Sequence, residues 1–484
     1  MPASARAAHV AARRADLPAP APVVVVTRTD DEAHRLADDL AAFIGTSHVR
    51  TLPERAALPL ERAHPEHDES AERLAVLSRL GSASRSLVVI SSLLALVQRT
   101  LALEELRARH TRLAVGGRVV QHALLERLVA AGYEPTVEVT GIGEFAHRGG
   151  LIDTWPPGAA DPIRVELFGD EVESIRTFDP MTQGSRRRLE TADLLPASEF
   201  RADAALVAAA PGLASDQLRE DAAKLAQGDL GEAAEVWAGM LTAGPAADHV
   251  PSGAHLVLTD ADELGSLAAD LDAHAEDRRA GLVASGELPP DWPLPYGARA
   301  TLQALHDRAA ERLEEQGDGD AGYVVAPPLP GRGERGGTWL RELAGGGRRV
   351  VVTTDQASRL GELLEEAGLP TAPAAELLEA PPAGGIGLVH GSLSAGFGHE
   401  PSGLLVLSDR ELFGASRIRR LTSAKRVVTR DLIGKLQPGD HVVHVDHGIA
   451  RYAGMTQRTF GDDVKEYLQL DFAGSDKIFL PADQ

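Results

Sequence analysis

The tetrad Asp31-Glu32-Ala33-His34 spells an acid box that, in ATP-driven motors, holds Mg²⁺ against the phosphates of a bound nucleotide. That chemistry needs the aspartate at the end of a hydrophobic strand. Here the apolar run Val23 to Val26 stops earlier, and Thr27 to Asp30 intervene. The chain also contains no GxxxxGK[ST] segment to cradle a β- or γ-phosphate. The tetrad therefore reads as the start of a solvated helix, where acids favour the helix dipole. Gly141-Ile142-Gly143 would begin a dinucleotide loop, but the third glycine of that pattern falls on Ala146. His441, His444 and His447 recur every third residue, a spacing that puts the first two on opposite faces of a strand, and no carboxylate cluster completes a zinc shell. Asp170 and Glu171 follow Gly169 and read as a turn, with no second carboxylate tied to them as in a glycosidase pair. There is no GxSxG, and the absence of cysteine excludes disulfides, thiolate metal sites and cysteine nucleophiles. No catalytic, cofactor-binding or metal-binding residue is assigned on these grounds, and no cofactor is expected in this chain.

Chemistry done by binding is left, and composition says what can be bound. Lys and Arg number 49 against 71 Asp and Glu, a net charge of −22, so long-range repulsion weakens non-specific attachment to naked nucleic acid. Protein partners are favoured. No stretch approaches the roughly 20 apolar residues that cross a bilayer, and no membrane partner is expected. A length of 484 residues exceeds what one hydrophobic core organises, so several domains are expected.

The elements that must position any binding residues follow from periodicity. Val23 to Val26 is a buried strand, and Ala33, Leu36, Ala37, Leu40 and Ile44 then recur at helical spacing. A helix from about Glu69 to Leu80, a strand Leu87 to Ile90 and a helical run from Leu93 repeat the alternation, which predicts an α/β sheet domain. One helix, Arg118 to Ala131, then introduces a strand-rich stretch in which Ile163, Val165 and Leu167 alternate with Arg164, Glu166 and Phe168. Helices return over 196–330, with a strand at Leu256 to Leu258. The Pro- and Gly-rich segment 326–338 reads as a linker, and strands at Val350 to Val352 and Leu404 to Leu407 belong to a second small α/β unit. Between Arg417 and Lys435 lie seven basic residues and one acid, Asp431, read as a solvated connector in preference to a nucleic-acid site. The tail changes to short strands separated by Gly-containing turns, which predicts a small twisted β-barrel.

Two segments are more specific than their periodicity. Residues 143–179, GEFAHRGGLIDTWPPGAADPIRVELFGDEVESIRTFD, resemble the UvrB-homology module of bacterial transcription-repair coupling factors. LPERAALPLERAHPEHDESAERLAVLSRL at 52–80, TFDPMTQGSRR at 177–187, LPASEF at 195–200 and GSLSAGFGHEPSGLLVLSDRELFG at 391–414 support the likeness. Residues 436–484, LQPGDHVVHVDHGIARYAGM followed by EYLQLDFAGSDKIFLPADQ, resemble the same family's CarD-like, Tudor-like RNA polymerase-interacting domain.

The resemblance implies a multidomain α/β chain. Residues 1–112 and 196–325 form a P-loop-NTPase-like but degenerate UvrB-like α/β domain. Residues 113–195 are an inserted α+β domain that binds UvrA. A small α/β domain over 339–420 follows, then a basic linker over 421–435 and the CarD-like domain over 436–484. Carried over residue by residue, the UvrA contacts fall on Arg148, Arg164 and Phe168. If Ile163, Val165 and Leu167 pack inward, Arg164 and Phe168 face solvent, and an exposed ring beside arginines has the composition of an interface hot spot. Glu144 is the alternative partner for Arg148, inside the domain. The polymerase β subunit is expected to meet the strand face carrying Leu468 and Leu470 and its neighbour carrying Lys477 and Phe479. Asp446, His447 and Gly448 read as a structural turn.

The chain departs from the family pattern in lacking the helicase-like lobes. ATP, Mg²⁺, translocation and most DNA contact are therefore expected of a longer parent protein and not of these residues. The implied role is a bacterial, cytoplasmic adaptor in transcription-coupled nucleotide-excision repair. The rival reading is a standalone polymerase-binding regulator without a repair role.

Overall fold

The computed structural model describes residues 1–17, 21–63, 67–81, 87–201, 204–208, 210, 212–213, 215–315, 322–329, 336–366, 368–414, 439, 441–444, 448–460, 463–472 and 477–481. The chain divides into two compact units, Met1–Thr422 and Ser423–Gln484.

The first unit is built on a five-stranded parallel sheet. Its order is Glu311–Leu313, His255–Thr259, Val23–Thr27, Val88–Ser92, Val49–Leu52. Every pair in it is parallel. The run of valines is explained by the central place of Val23–Thr27, which is buried along its whole length. Val24 and Val26 join a core with Leu74, Leu77, Leu96 and Leu264, whereas Val23 and Val25 join another with Val10, Leu36 and Leu40. Successive side chains of one strand thus enter two cores, as a sheet covered by helices on both faces requires. The helix Asp30–Ile44 begins at the cap Thr29, whose hydroxyl accepts the Glu32 N–H at 3.2 Å. A further helical core closes around Trp237 and Trp292, packed edge to face with centroids 4.9 Å apart.

The chain leaves this layer by Thr111–Ala114 and returns by Thr191–Leu194, which pair antiparallel with Thr111 opposite Leu194. Between them stands a six-stranded sheet ordered Ser185–Leu189, Glu171–Phe178, Ile163–Phe168, Leu151–Thr154, Glu144–Arg148, Glu134–Pro135. The helix Gln121–Ala130, a turn shorter than the sequence suggested, packs Leu124 and Leu128 against Phe145, Ile152, Val165 and Ile175. That inner face is apolar; the outer face is mostly polar.

A second six-stranded sheet runs Tyr323–Val325, Phe397–His399, Leu404–Leu407, Arg349–Thr354, Ile386–His390, Pro373–Ala374. Its first strand falls inside the span that the sequence assigned to the preceding domain, up to residue 325. Pairing with Phe397–His399 draws it across. Tyr323 and Phe397 pack with Ala5 of the helix Ala3–Asp16, joining this sheet to the first. At the same junction Asp39 is 5% exposed and its carboxylate accepts the backbone N–H (2.6 Å) and the hydroxyl of Ser394.

The second unit, by itself, is an antiparallel sheet of His441–His444, Gly448–Phe460, Asp463–Phe472 and Lys477–Pro481 in chain order. Among the described residues it is open, with its first and last strands unpaired to each other, and the closed barrel expected from sequence is not formed. Closure would need the two edge strands in register, which the long central hairpin does not by itself provide. The basic segment Arg417 to Lys435, residues 330–335 of the expected linker, and Asp446 and His447 lie outside the described residues.

Candidate functional site

Two places in the first unit are shaped to meet a ligand: the C-terminal edge of the parallel sheet and the outer face of the inserted sheet. At the first, Val23–Thr27 passes through Arg28 and Thr29 directly into the helix Asp30–Ile44, with Asp30, Asp31 and Glu32 in its first turn. Glu32 accepts the Arg28 N–H at 3.2 Å and its guanidinium at 2.7 Å. Arg28 also pairs with Glu263. His34 sits 3.2 Å from Asp30, whose hydrogen bond pushes the imidazole up to about 9. The positive end of the helix dipole is thus met by the chain's own carboxylates, and a phosphate would face like charge there. Gly141-Ile142-Gly143 is similarly self-satisfied, because the Glu144 carboxylate accepts the N–H groups of Thr140 (2.7 Å) and Gly141 (2.8 Å). Among the described residues no group of three or more His, Asp or Glu side chains is arranged to hold a metal ion.

The inserted sheet brings Arg148, Arg164 and Phe168 together on one face. Cross-strand register sets Arg148 opposite Leu151 and Leu151 opposite Glu166. Glu166 lies midway between Arg164 and Phe168, so all five side chains emerge on the same side. Along Ile163–Phe168 the residues Ile163, Val165 and Leu167 are buried, and Phe168 ends the strand 80% exposed. The hairpin Gly149-Gly150 lies against it: a Cβ on Gly150 would stand 2.6 Å from the Leu167 carbonyl, so only glycine allows that approach. Arg148 is 66% exposed and donates to the Val137 carbonyl at 2.9 Å, with Glu138 at 3.8 Å. Its neighbour is therefore Glu138 and not Glu144, which is spent on the 140–141 turn. A groove of about 390 Å³ lined by Val137, His147 and Arg148 adjoins it. Arg164 differs. It is 19% exposed, forked onto Asp153 at 2.7 and 2.8 Å, and its guanidinium lies 4.8 Å from the centre of the Phe178 ring. Gly169 and Asp170 form the hairpin turn, and Glu171, read from sequence as part of it, instead opens the next strand opposite Phe168.

A set of residues that sequence reasoning missed anchors the insert. Glu199, just beyond the returning strand Thr191–Leu194, is fully buried and accepts Arg73 at 3.0 Å and Arg55 at 2.8 Å. Arg55 also reaches Glu235 at 2.6 Å. Burial opposes ionisation of Glu199, but the two guanidinium groups outweigh it and hold its carboxyl below the usual range. The signal was present in the segments 52–80 and 195–200, which supply Arg55, Arg73 and Glu199; their pairing was invisible.

In the second unit Leu468 and Leu470 are buried, and Leu470 stands opposite Tyr452, also buried. Lys477 and Phe479 lie on the edge strand, opposite Asp471 and Gln469, and their side chains are outside the described residues.

Comparison with known proteins gives these geometries a context. Residues 111–200 match the family model of the UvrB interaction domain, and residues 436–484 match that of the CarD-like/TRCF RID domain. The chain is similar to curated proteins named transcription-repair-coupling factor. The one from Myxococcus xanthus is 32% identical across 95% of this chain, that from Escherichia coli (strain K12) 26% across 95%, and that from Bacillus subtilis (strain 168) 25% across 96%. The chain spans 42% of the length of each of these relatives.

Proposed function

We propose that this chain, which carries a UvrB interaction domain and a CarD-like/TRCF RID domain and resembles the transcription-repair-coupling factors, is an adaptor. In this reading residues 111–200 dock the repair protein UvrA, and residues 436–484 dock RNA polymerase through its β subunit. Tethering raises the local concentration of repair factors at a stalled polymerase. ATP-driven translocation would come from a longer parent protein, with ATP and Mg²⁺ bound outside these residues.

The observation that carries the reading is Phe168. A large ring left 80% exposed at the end of a strand whose alternate residues are buried has no role in its own core. Beside Arg148, on the same face, it supplies desolvated area next to a charged fork, the pattern of a binding anchor. The test is titration of UvrA onto the full chain. Phe168→Ala with Arg148→Ala should weaken binding roughly 30-fold or more, about 2 kcal/mol. Unchanged affinity in the folded double variant would remove the assignment. Polymerase capture that proceeds while UvrA never binds the wild-type chain would favour the rival reading, a polymerase-binding regulator.

A further inference from the structure

Arg164 stands in the docking face by position, yet its donors are committed elsewhere. Nε and Nη2 fork onto Asp153, Nη1 donates to the Gln183 carbonyl and Nη2 to the Gln183 Oε1, both at 3.3 Å. Stacked on Phe178 and 19% exposed, it has little left to offer a partner. What it holds is the turn Asp179 to Gly184. Gln183 there adopts φ +59°, a left-handed conformation that costs a non-glycine residue on the order of 1 kcal/mol and persists only when its surroundings over-determine it. They do. The Asp179 carboxylate accepts the N–H groups of Met181 (2.8 Å) and Thr182 (3.1 Å), its carbonyl accepts Gln183 N–H at 2.7 Å, and its own N–H donates to Gly184 at 2.9 Å. At the apex of this braced turn Met181 is 60% exposed.

We infer that Arg164 is a positioning residue for the turn and that Met181 is a further contact of the docking face, seated in an apolar recess of UvrA. The inference rests on the docking reading above. The turn lies at the opposite end of Ile163–Phe168 from Phe168, since Phe178 N–H donates to the Pro162 carbonyl at 3.0 Å. The five steps of about 3.3 Å from Ile163 to Phe168 span roughly 17 Å, and the turn stands just beyond Ile163. A standard interface of about 800 Å² per partner is about 30 Å across and takes in both. A thioether suits such a recess because it is polarisable and adapts its rotamers. Fixing its backbone removes the ordering cost that a loose loop would incur on binding.

The experiment is a double-mutant cycle on the full chain, read by titration with UvrA. Met181 is a surface side chain, so Met181→Ala folds regardless of Arg164. Met181→Ala should weaken binding about 5- to 10-fold, Arg164→Ala at least as much, and the double variant no more than Arg164→Ala alone. Hydrogen exchange at the Met181 and Thr182 amides should accelerate in Arg164→Ala and not in Met181→Ala. Gln183→Ala, which leaves the Arg164–Asp153 fork intact and keeps the left-handed strain but removes the side-chain bonds to Arg164 and to the Pro180 carbonyl, should reproduce part of the affinity loss by loosening the turn. Losses that multiply in the double variant would make Arg164 an independent contact and overturn the positioning role. Wild-type affinity in Met181→Ala, with Phe168→Ala impaired, overturns the Met181 contact alone. Wild-type affinity in Phe168→Ala removes the docking reading itself.

Discussion

The C-terminal edge of the parallel sheet and the outer face of the inserted sheet both gather charged side chains, and they use them in opposite ways. At the parallel edge the charges are answered from within, Glu32 by Arg28 and Asp30 by His34, and the anchor of the insert likewise pairs Glu199 with Arg73 and Arg55. On the inserted face Phe168 and Arg148 stay largely exposed, with Glu138 3.8 Å from the guanidinium. Internal pairing consumes binding capacity and converts it into stability. An unanswered ring beside an arginine keeps it for a partner. The first region thus belongs to the architecture, and the second is the one proposed for recognition.

The comparison can be broken by moving stability and binding separately. The largest effect is expected from Glu199→Ala, which leaves the buried Arg73 guanidinium without a carboxylate, takes one of two from Arg55 and should lower the unfolding free energy by about 3–5 kcal/mol in urea titration. Should stability hardly change, the network is not the anchor described here. Next, Phe168→Ala should cost roughly 30-fold in UvrA affinity while leaving stability within about 0.5 kcal/mol, because it removes no core contact.

A smaller effect lies at the junction of the two sheets. Burial, aided by the Asp38 charge and opposed by the hydrogen bonds from Ser394 and by Arg35, pushes the Asp39 carboxyl up to about 6. The folded state then holds this proton more tightly than the unfolded one, whose value is about 4. Stability should fall as pH rises from about 4 to about 6 and stay at the lower level above. Asp39→Asn should remove that segment of the pH profile and leave the protein more stable at pH 7 by on the order of 1 kcal/mol. An unaltered profile would show that the carboxyl titrates normally. Smallest of all, Mg·ATP should shift the melting temperature of the chain by less than about 1 °C, since a ligand stabilises only what binds it. A clear upward shift would reopen the parallel edge as a nucleotide site.

How much of this was legible in the sequence depended on range. The period-two alternation of Ile163 to Phe168 gave both the buried and the exposed face, because a strand's side-chain direction is a local property. The valine run gave a buried strand for the same reason. The Asp31 tetrad was separable from a true acid box because the strand ends before it. Long-range pairing was not legible. Nothing in LPERA predicts that Arg55 meets Glu199 and Glu235, and alternation could not tell that Arg164 is forked onto Asp153 while Phe168, on the same face, is free. Leu468 and Leu470 show the converse: an apolar strand face reads equally as core or as docking surface, and alternation alone did not show that both side chains are buried.

The ladder between Thr111–Ala114 and Thr191–Leu194 has a consequence for how such a molecule can change. Because Thr111 stands opposite Leu194, about 5 Å away as in any antiparallel pair, the entire inserted module begins and ends at one point. To the parallel sheet the excursion is equivalent to a tight turn. Its inner packing can drift, its partner preference can be retuned, or a different module can take its place, and the strands on either side need not move to accommodate the exchange.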